Sequence, residues 1–503
     1  MALLSVDIGT TSTKALIFSE RGEIIASSYQ EYPISCPKPG WAELDAETIW
    51  TAFRKTVWEV TRQHKKQVAV LCLSCMGHSI VPVRHDGTPI SNGILASDTR
   101  ATKEVEIIRN TFADLEYFRI RGSRPRPMDG LSKIMWLKTN RPDIFRQTWK
   151  FMTFADFIRT RLGFPAVIDY SMAASSLPYD VQKKDYSEVL LNEFGLNRQM
   201  FSEPVSSDEI LGEIGLNVRT ELNLPKGVKV VSGGHDICCG ILGAGITQAT
   251  PQIIVDIAGT WESMACVKLK PLLTRRSLET NVNSSCNIVR NTYIATTAQS
   301  TSGSIIRWFR DELASEDRRT AQKDGTNVYD IMFNPLKFDG GTVMAIPYFA
   351  GSYNDSYAKG ALLGLTLGTS RQQVLQALVE GVTHGMKELV DRLDKLSPSL
   401  IEVIRAIGGP TKSGKWLQLK ADISGKKVEA LQIEEASALG AAILAGVAIG
   451  VYDSYEQAIK AMVKIKATYQ PRPEIHQIYK RQHEIYKRLV ESLKLINKEL
   501  YYM

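Results

Sequence analysis

Residues 3–18 read LLSVDIGTTSTKALIF, and the rest of the chain is organised around them. An apolar run stops at Asp7, passes through Gly9 and four hydroxyl residues (Thr10, Thr11, Ser12, Thr13), meets Lys14 and turns apolar again. The pattern predicts a strand, a polar turn and a second strand. Gly9 lets the backbone turn with no side chain in the way, and small hydroxyl residues leave amide groups free to point at one anion. Asp7, at the strand end, suits Mg²⁺ directly or through water, because hard cations on phosphates take a carboxylate plus waters. An ordinary hairpin whose Asp and Thr side chains make turn hydrogen bonds accounts for the same residues. On this stretch alone both readings stand.

The pattern returns about half a chain later. Residues 252–267 read QIIVDIAGTWESMACV, so Asp7-Ile8-Gly9-Thr10 is answered by Asp256-Ile257-Ala258-Gly259-Thr260. Two such turns, each opening a half of the chain, point to a duplicated domain. With 503 residues the chain is too long for a single core. The expected organisation is α/β, with domains at 1–247 and 248–503, each a mixed sheet packed with helices. Two halves facing each other across a cleft, each with a phosphate turn, would clamp a nucleotide.

Composition narrows the class. A hydrophobic content of 44% with 23% charged residues describes a globular protein. The 61 basic residues exceed the 54 acidic ones only slightly and are scattered, which speaks for a solvated face and against a nucleic-acid partner. No apolar run is long enough to span a bilayer and no leader is read, so no membrane partner and a cytoplasmic location are expected. Seven cysteines have no disulfide-framework spacing, and Cys72 and Cys75 form a C-x-x-C without a second pair. Reduced, mostly buried thiols are the expectation.

Along the first half, extended residues 23–32 and a proline-rich loop at 33–41 precede a helix at 45–64, with Ile49, Phe53, Val57 and Val60 on one face. A strand at 67–74 runs into the loop Cys75-Met76-Gly77-His78, and helical spacing follows at 103–110, 131–139 and 152–162. A strand at 225–232 delivers Gly233-Gly234-His235-Asp236, followed by a small-residue helix at 238–246. In the second half a helix at 303–313, a strand at 341–347, a loop at 351–360 and a long helix at 372–393 come in turn. A strand at 402–407 then ends in Gly408-Gly409-Pro410-Thr411-Lys412-Ser413-Gly414, with a helix from about Trp416. Strand, glycine pair and helix is an arrangement in which backbone closely approaches a nucleotide, and also a plain structural turn. A small-residue helix at 435–450 and an amphipathic one at 474–500 close the chain.

Together these pieces resemble the FGGY carbohydrate kinases, two-domain sugar kinases of the actin-like ATPase superfamily. Residues 128–140, MDGLSKIMWLKTN, resemble the family's first signature, with Gly130 where Pro, Ser or Thr is usual. Residues 360–380, with GALLGL followed by QVLQALVE, resemble the second. The resemblance covers essentially the whole chain and implies two actin-like (ribonuclease H-like) ATPase domains and ATP-dependent phosphorylation of a sugar or polyol hydroxyl. It places Asp7 near Mg²⁺, and Thr10, Thr11, Ser12 and Thr13 on the phosphates from the first domain. It places Gly259 and Thr260 there from the second, with Gly303, Gly408, Gly409 and Ser413 lining the nucleotide site. Asp236 matches the catalytic base.

The chemistry agrees with that role. A sugar hydroxyl is a poor nucleophile, and transfer needs it in line with the γ-phosphate and relieved of its proton as the bond forms. The competing reading of Asp236 is an N-cap on the following helix. Family members read their sugar with the loop after the 67–74 strand and with a later D-x-R, which implies substrate contacts at Met76, Gly77, His78, Asp98 and Arg100. Asp98 and Arg100 suit adjacent sugar hydroxyls as acceptor and donor, and equally a surface ion pair or a helix cap. Three departures from the family pattern bear on affinity and specificity: Cys75 replaces Gln with His78 one place along, Pro410 stands where glycine is usual, and 351–360 lacks E-R-x-P.

The functional expectation is an ATP:ketose phosphotransferase with Mg²⁺ and a xylulose-like pentulose, in which domain closure excludes water. L-fuculose, another ketose or a polyol is the alternative within the class. From another class, a non-catalytic actin-like switch or sugar sensor would keep the phosphate turns without a base aimed at a hydroxyl. A homodimer is left open.

Overall fold

The computed structural model describes residues 1–352, 355, 357–397 and 399–503. The chain divides into two compact units. One comprises residues 1–249, 267–295 and 435–463, and the other 250–266, 296–434 and 464–503. The sequence reading assigns 267–295 and 435–463 to the second half; in the structure they pack with the first unit.

The first unit is built on a six-stranded sheet. β1 (Ala2–Ile8), β2 (Ser12–Ser19) and β3 (Ile24–Glu31) form an antiparallel meander. Helix α1 (Ala46–His64) starts where the Asp45 carboxylate accepts the Thr48 N–H at 2.9 Å, and it buries Ile49, Phe53, Val57 and Val60 as its spacing predicts. β4 (Val68–Cys75) returns parallel to β1. Helices α2 (Gly130–Asn140), α3 (Phe154–Arg161) and α4 (Tyr170–Ser176) follow. β5 (Ile210–Glu213) and β6 (Lys229–His235) complete the order β5-β6-β4-β1-β2-β3, with β6 parallel to β4. β6 begins later than the strand expected at 225–232, after the Pro225 to Gly227 turn, and runs through both glycines to His235. Helix α5 (Asp236–Gly243) therefore starts at Asp236 itself.

Helix Ala436–Ala448 belongs to this unit because it packs backbone to backbone on α5. A Cβ on Gly440 would lie 1.8 Å from the Cys239 carbonyl oxygen, and one on Gly243 would lie 1.9 Å from that of Ala436. The small residues of both helices thus serve this contact.

The second unit repeats the sheet plan. β7 (Ile253–Ala258) pairs antiparallel with β8 (Glu262–Lys268), whose other neighbour is β9 (Tyr293–Gln299). After α6 (Gly303–Leu313), α7 (Val328–Phe333) and α8 (Arg371–Lys395), β10 (Val403–Gly408) pairs parallel with β7. A 3-10 turn, Gly409–Lys412, leads into α9 (Gly414–Ser424). β11 (Lys427–Leu431) lies parallel to β10, and β12 (Ile465–Tyr469) antiparallel to β11. The neighbours of β1 and β7 thus run in the same directions, as a duplicated domain requires. The terminal helix α11 (Pro473–Tyr502, numbered after α10, the Ala436–Ala448 helix) covers α8 and α9 with Tyr479 in the core. The loop at 351–360 lies partly outside the described residues.

All seven cysteines are free; Cys36 is exposed and the rest are buried. Among the described residues, no helix is long and apolar enough to cross a membrane.

Candidate active site

In the first unit, the β1–β2 turn is closed by the Gly9 N–H donating to the Ser12 carbonyl at 2.9 Å. Thr10 and Thr11 are exposed and Ser12 is half-buried, so these three residues offer amides and hydroxyls to solvent. Thr13 is turned the other way: it is buried, with its hydroxyl 3.2 Å from the Tyr32 hydroxyl. The alternation of β2 explains this, since successive side chains of a strand face opposite sides of the sheet. Lys14 is held by Glu435, with Nζ 2.7 Å from Oε1.

Asp7 is half-buried near the end of β1 and accepts the Ser74 hydroxyl at 2.6 Å. Burial pushes its carboxyl up to about 7; the Ser74 bond opposes the rise, while the charges of Asp236 and Glu435 add to it. Asp236 accepts the Ile237 N–H at 2.7 Å, and burial holds its carboxyl at about 6. His235 occupies the N-cap position of α5 and makes no side-chain cap, so Asp236 is the first helical residue and not its N-cap. Carboxylate oxygens that repel one another beside the β1–β2 turn are a donor set a hard divalent cation can satisfy.

The loop after β4 lies beside this carboxylate pair. Met76 is buried, and its N–H donates to the Ile8 carbonyl at 2.8 Å, tying the loop to the end of β1. Gly77 packs against the imidazole of His235: a Cβ there would lie 2.4 Å from Nε2. His235 Nε2 is in turn 3.3 Å from Asp236 Oδ1. His78 takes a left-handed backbone, φ 59°, fixed by its N–H donating to Ser176 Oγ at 2.8 Å. Its ring lies 6.0 Å from that of His235, edge to face, and its Nδ1 is 3.6 Å from Asp129 Oδ1. Burial first, and then the charge of Arg126, holds His78 well below its ordinary pKa, and burial lowers His235 to about 4. Both imidazoles are neutral at neutral pH and each offers one donor and one acceptor.

Asp98 and Arg100 come together with each other. Asp98 is buried and accepts the Ala42 N–H at 2.7 Å, the Arg100 N–H at 2.9 Å and Arg100 Nη2 at 2.7 Å. Arg100 also donates to Glu43 at 2.8 Å and stacks 3.7 Å over the Trp41 ring. This network fastens the end of the proline-rich loop to the segment carrying Asp98 and Arg100.

Three supports escaped the sequence reading. Lys133 on α2 is fully buried and donates to the carbonyls of His78 and Leu95, so the first signature holds the backbone of the His78 loop. Burial lowers its ammonium to about 7. Gly130, the departure in that signature, is where α2 touches the chain segment that positions His78: a Cβ would lie 2.2 Å from the Ser176 carbonyl oxygen. Behind the glycine turn, Arg159 pairs with Asp169 at 3.0 Å and donates to the Ser232 carbonyl, while the Ser171 hydroxyl accepts the His235 N–H at 2.9 Å. The fixed Lys of the signature was a usable signal; the Arg159–Asp169 pair, ten residues apart on separate elements, had none.

In the second unit, Gly259, Thr260, Gly303, Gly409 and Ser413 line one cavity of about 640 Å³, walled also by Trp416. The Gly303 N–H donates to the Gly259 carbonyl at 2.9 Å, which joins the start of α6 to the turn after β7. Gly408 ends β10 against Ala258, its register partner on β7. Ser413 accepts the Trp416 N–H at 3.3 Å and caps α9. Pro410 is buried in the first turn of the 3-10 segment, where its fixed φ suits the backbone and its missing N–H is not needed. The departure from glycine is therefore accommodated. Tyr329, Asp330 and Asn334, on and just after α7, add polar and aromatic groups to the wall.

Residues 2–243 match the N-terminal domain, and residues 255–449 the C-terminal domain, of the FGGY family of carbohydrate kinases. The chain is 25% identical over 486 residues to a xylulose kinase of Bacillus subtilis (strain 168), covering 95% of this chain and 94% of that one. It is 28% identical over 489 residues to a glycerol kinase of Thermococcus gammatolerans, covering 93% of each. The solved structure of a ligand-bound xylulose kinase from Lactobacillus acidophilus shares the fold, with a TM-score of 0.89 at 21% identity over 98% of each chain. That fold is the actin-like ATPase fold of two sheet-containing domains. With both family domains matched in order over most of its length, the chain belongs to the FGGY family of carbohydrate kinases and is an ATP-dependent sugar phosphotransferase.

Proposed function

We propose that the sugar is a neutral ketose, a xylulose-like pentulose first, and that Asp236 is the general base. The observation that carries this reading is the place of Asp236, at a strand-to-helix junction beside Gly77, His78 and His235, with its carboxyl near 6. Such a group is ionised at neutral pH and still basic enough to take a hydroxyl proton as the bond to phosphorus forms. Neutral imidazoles at His78 and His235 offer both donors and acceptors to hydroxyl and carbonyl oxygens. A sugar acid would instead need a cation, and Lys133, Arg126 and Arg100 are engaged with carbonyls, Asp129 and Asp98 respectively. Likeness to a xylulose kinase supports the ketose over another neutral acceptor; a 6-deoxy ketose such as L-fuculose, or a polyol, satisfies the same groups.

On this reading the sugar hydroxyl lies within hydrogen-bond reach of Asp236, which removes its proton. Amides and hydroxyls at Thr10, Thr11 and Ser12 meet phosphate oxygens, as do those at Gly259 and Thr260, while the Gly303, Gly408, Gly409 and Ser413 cavity takes the nucleoside. Asp7 would hold Mg²⁺, directly or through water, and the ion would offset the negative charge of the phosphates. Asp98 and Arg100 shape the sugar side by fixing Trp41 and the loop that carries it. An ATP-using enzyme making a sugar phosphate is placed in the cytoplasm.

The test is a coupled ADP-release screen with Mg-ATP against pentuloses, 6-deoxy ketoses, hexuloses, polyols and sugar acids, run beside Asp236→Ala. Turnover with one neutral ketose, at about 1 to 10³ per second and lost in the variant, supports the reading. A sugar acid as the sole acceptor, or an undiminished variant, overturns it.

A further inference from the structure

Within the second unit, α8 and α11 bring together three groups that the kinase reaction does not use. His483 Nε2, from α11, lies 2.9 Å from Glu388 Oε1 and 3.9 Å from Asp391 Oδ2, both from α8. One ligand atom from each residue lies within 4.8 Å of the other two. A first-row divalent ion about 2.1 Å from each ligand would set them roughly 3.0 to 3.6 Å apart, so small rotations complete the site. Acidic side chains spaced i and i+3 on one helix face a His from the next.

The imidazole itself points to a ligand. His483 is 5% exposed, and its Nε2 is buried without a hydrogen bond although it faces Glu388. Its other nitrogen, Nδ1, lies 3.3 Å from Nδ1 of the buried His384. With the Nδ1 proton of His483 donated to His384, Nε2 keeps its lone pair for a metal; in the other tautomer Nε2–H points at Glu388, and a bound ion would displace that proton. Asp391 divides its oxygens, Oδ1 taking the Lys387 ammonium and Oδ2 facing His483. One imidazole and two carboxylates suit a borderline cation such as Zn²⁺ better than Mg²⁺, which resists dehydration and takes oxygen donors.

We propose that Glu388, Asp391 and His483 form a Zn²⁺-type metal site that fastens the terminal helix α11 to α8, separate from the cation at Asp7. The probe is Zn²⁺ added to chelator-stripped full-length protein in excess Mg²⁺, followed by calorimetry and thermal unfolding, with Co²⁺ and its visible absorption as a second report. The expected result is one bound equivalent and a rise in Tm, since a ligand of the folded state stabilises it by mass action. Glu388→Gln and Asp391→Asn change partly exposed side chains and should fold. Each is expected to weaken binding about tenfold or more. Asp7→Asn should bind Zn²⁺ as the unaltered protein does. No Zn²⁺ uptake in excess Mg²⁺ overturns the proposal, as does uptake that Glu388→Gln and Asp391→Asn leave unchanged or that Asp7→Asn abolishes.

Discussion

Asp7 and Asp256 stand at corresponding places in the two sheets, near the ends of β1 and β7, and have opposite electrostatic surroundings. Asp7 pairs in register with Ser74, which donates to it, and the nearest cation on its own turn, Lys14, is held by Glu435. Asp256 pairs with Ala406, which has no donor, and instead takes the ammonium of Lys420 in the core. Corresponding carboxylates in the two sheets thus differ: one accepts a neighbouring hydroxyl, and the other is half of a buried ion pair.

The first prediction concerns Asp236. On the proposed function, its carboxyl, raised to about 6 by burial, acts as a base only when ionised, so kcat/KM should fall as pH drops through about 6 and level off above it. Asp236→Asn should lower kcat by about 10² to 10⁴ and erase that acid limb, with the KM for ATP unchanged. A pH–rate profile of both proteins checks this.

Asp7 makes a prediction in stability. Its folded pKa, about 7, is above the ordinary value of 3.8, so the folded state holds the extra proton between them. Its contribution is thus fully present in acid and is lost as pH rises through about 7. Asp7→Asn should be the more stable protein at pH about 8, by about 1 to 2 kcal/mol after discounting for solvent at a half-buried site, against a ceiling of about 4. The gap should close near pH about 4. Mg²⁺ favours the carboxylate and should raise the Tm of the unaltered protein alone, which calorimetry without substrate would read.

Gly77 tests the sugar side. The Cβ of Gly77→Ala would lie 2.4 Å from His235 Nε2, and the imidazole is walled in, so the loop or the ring must move at a cost of about 1 to 3 kcal/mol. Because His235 abuts Asp236, the sugar KM should rise and kcat fall while the ATP KM holds. An alanine variant with unaltered sugar kinetics would show that this contact does not shape the site.

Much of this was legible because it is local. The two Asp-Ile turns and the stripe on α1 follow from spacing, and the structure contains the strands and the helix as read. What escaped is set by contacts distant in the chain. Thr13 belongs to a run of four hydroxyls, but the pleat of β2 sends it to Tyr32. Asp98 and Arg100 read from the chain as sugar ligands or as an ion pair, and spacing does not show that Trp41 and Glu43, far earlier in the chain, hold Arg100. Helix Ala436–Ala448 reads as part of the second half, and only the glycine contacts with α5 assign it to the first. Lys420, between Gln418 and Asp422 on α9, is distinguishable as a buried ion only once β7 and β8 are beside it.

That lysine supports the last prediction. Lys420, Asp256 and Glu262 are fully buried, with Lys420 Nζ 2.6 Å from Glu262 Oε1. Burial disfavours the ammonium, yet the charges of Asp256 and Glu262 outweigh it and hold Lys420 above its ordinary pKa. Lys420 bonds Asp256 through Oδ2 and leaves Oδ1 without a hydrogen bond, and Gln299 donates to Glu262 from the other side. Lys420→Met would leave two carboxylates in the core without a cation and should destabilise by about 3 to 5 kcal/mol. Asp256→Asn keeps the Lys420–Glu262 pair and should be milder, and the double variant should cost less than the sum, with a coupling of about 0.5 to 3 kcal/mol. Since β7 leads straight into Gly259 and Thr260, the ATP KM should rise with each loss while the sugar KM stays. Urea unfolding of the three variants decides: a Lys420→Met protein within about 0.5 kcal/mol of the original would mean the triad does not hold this unit together.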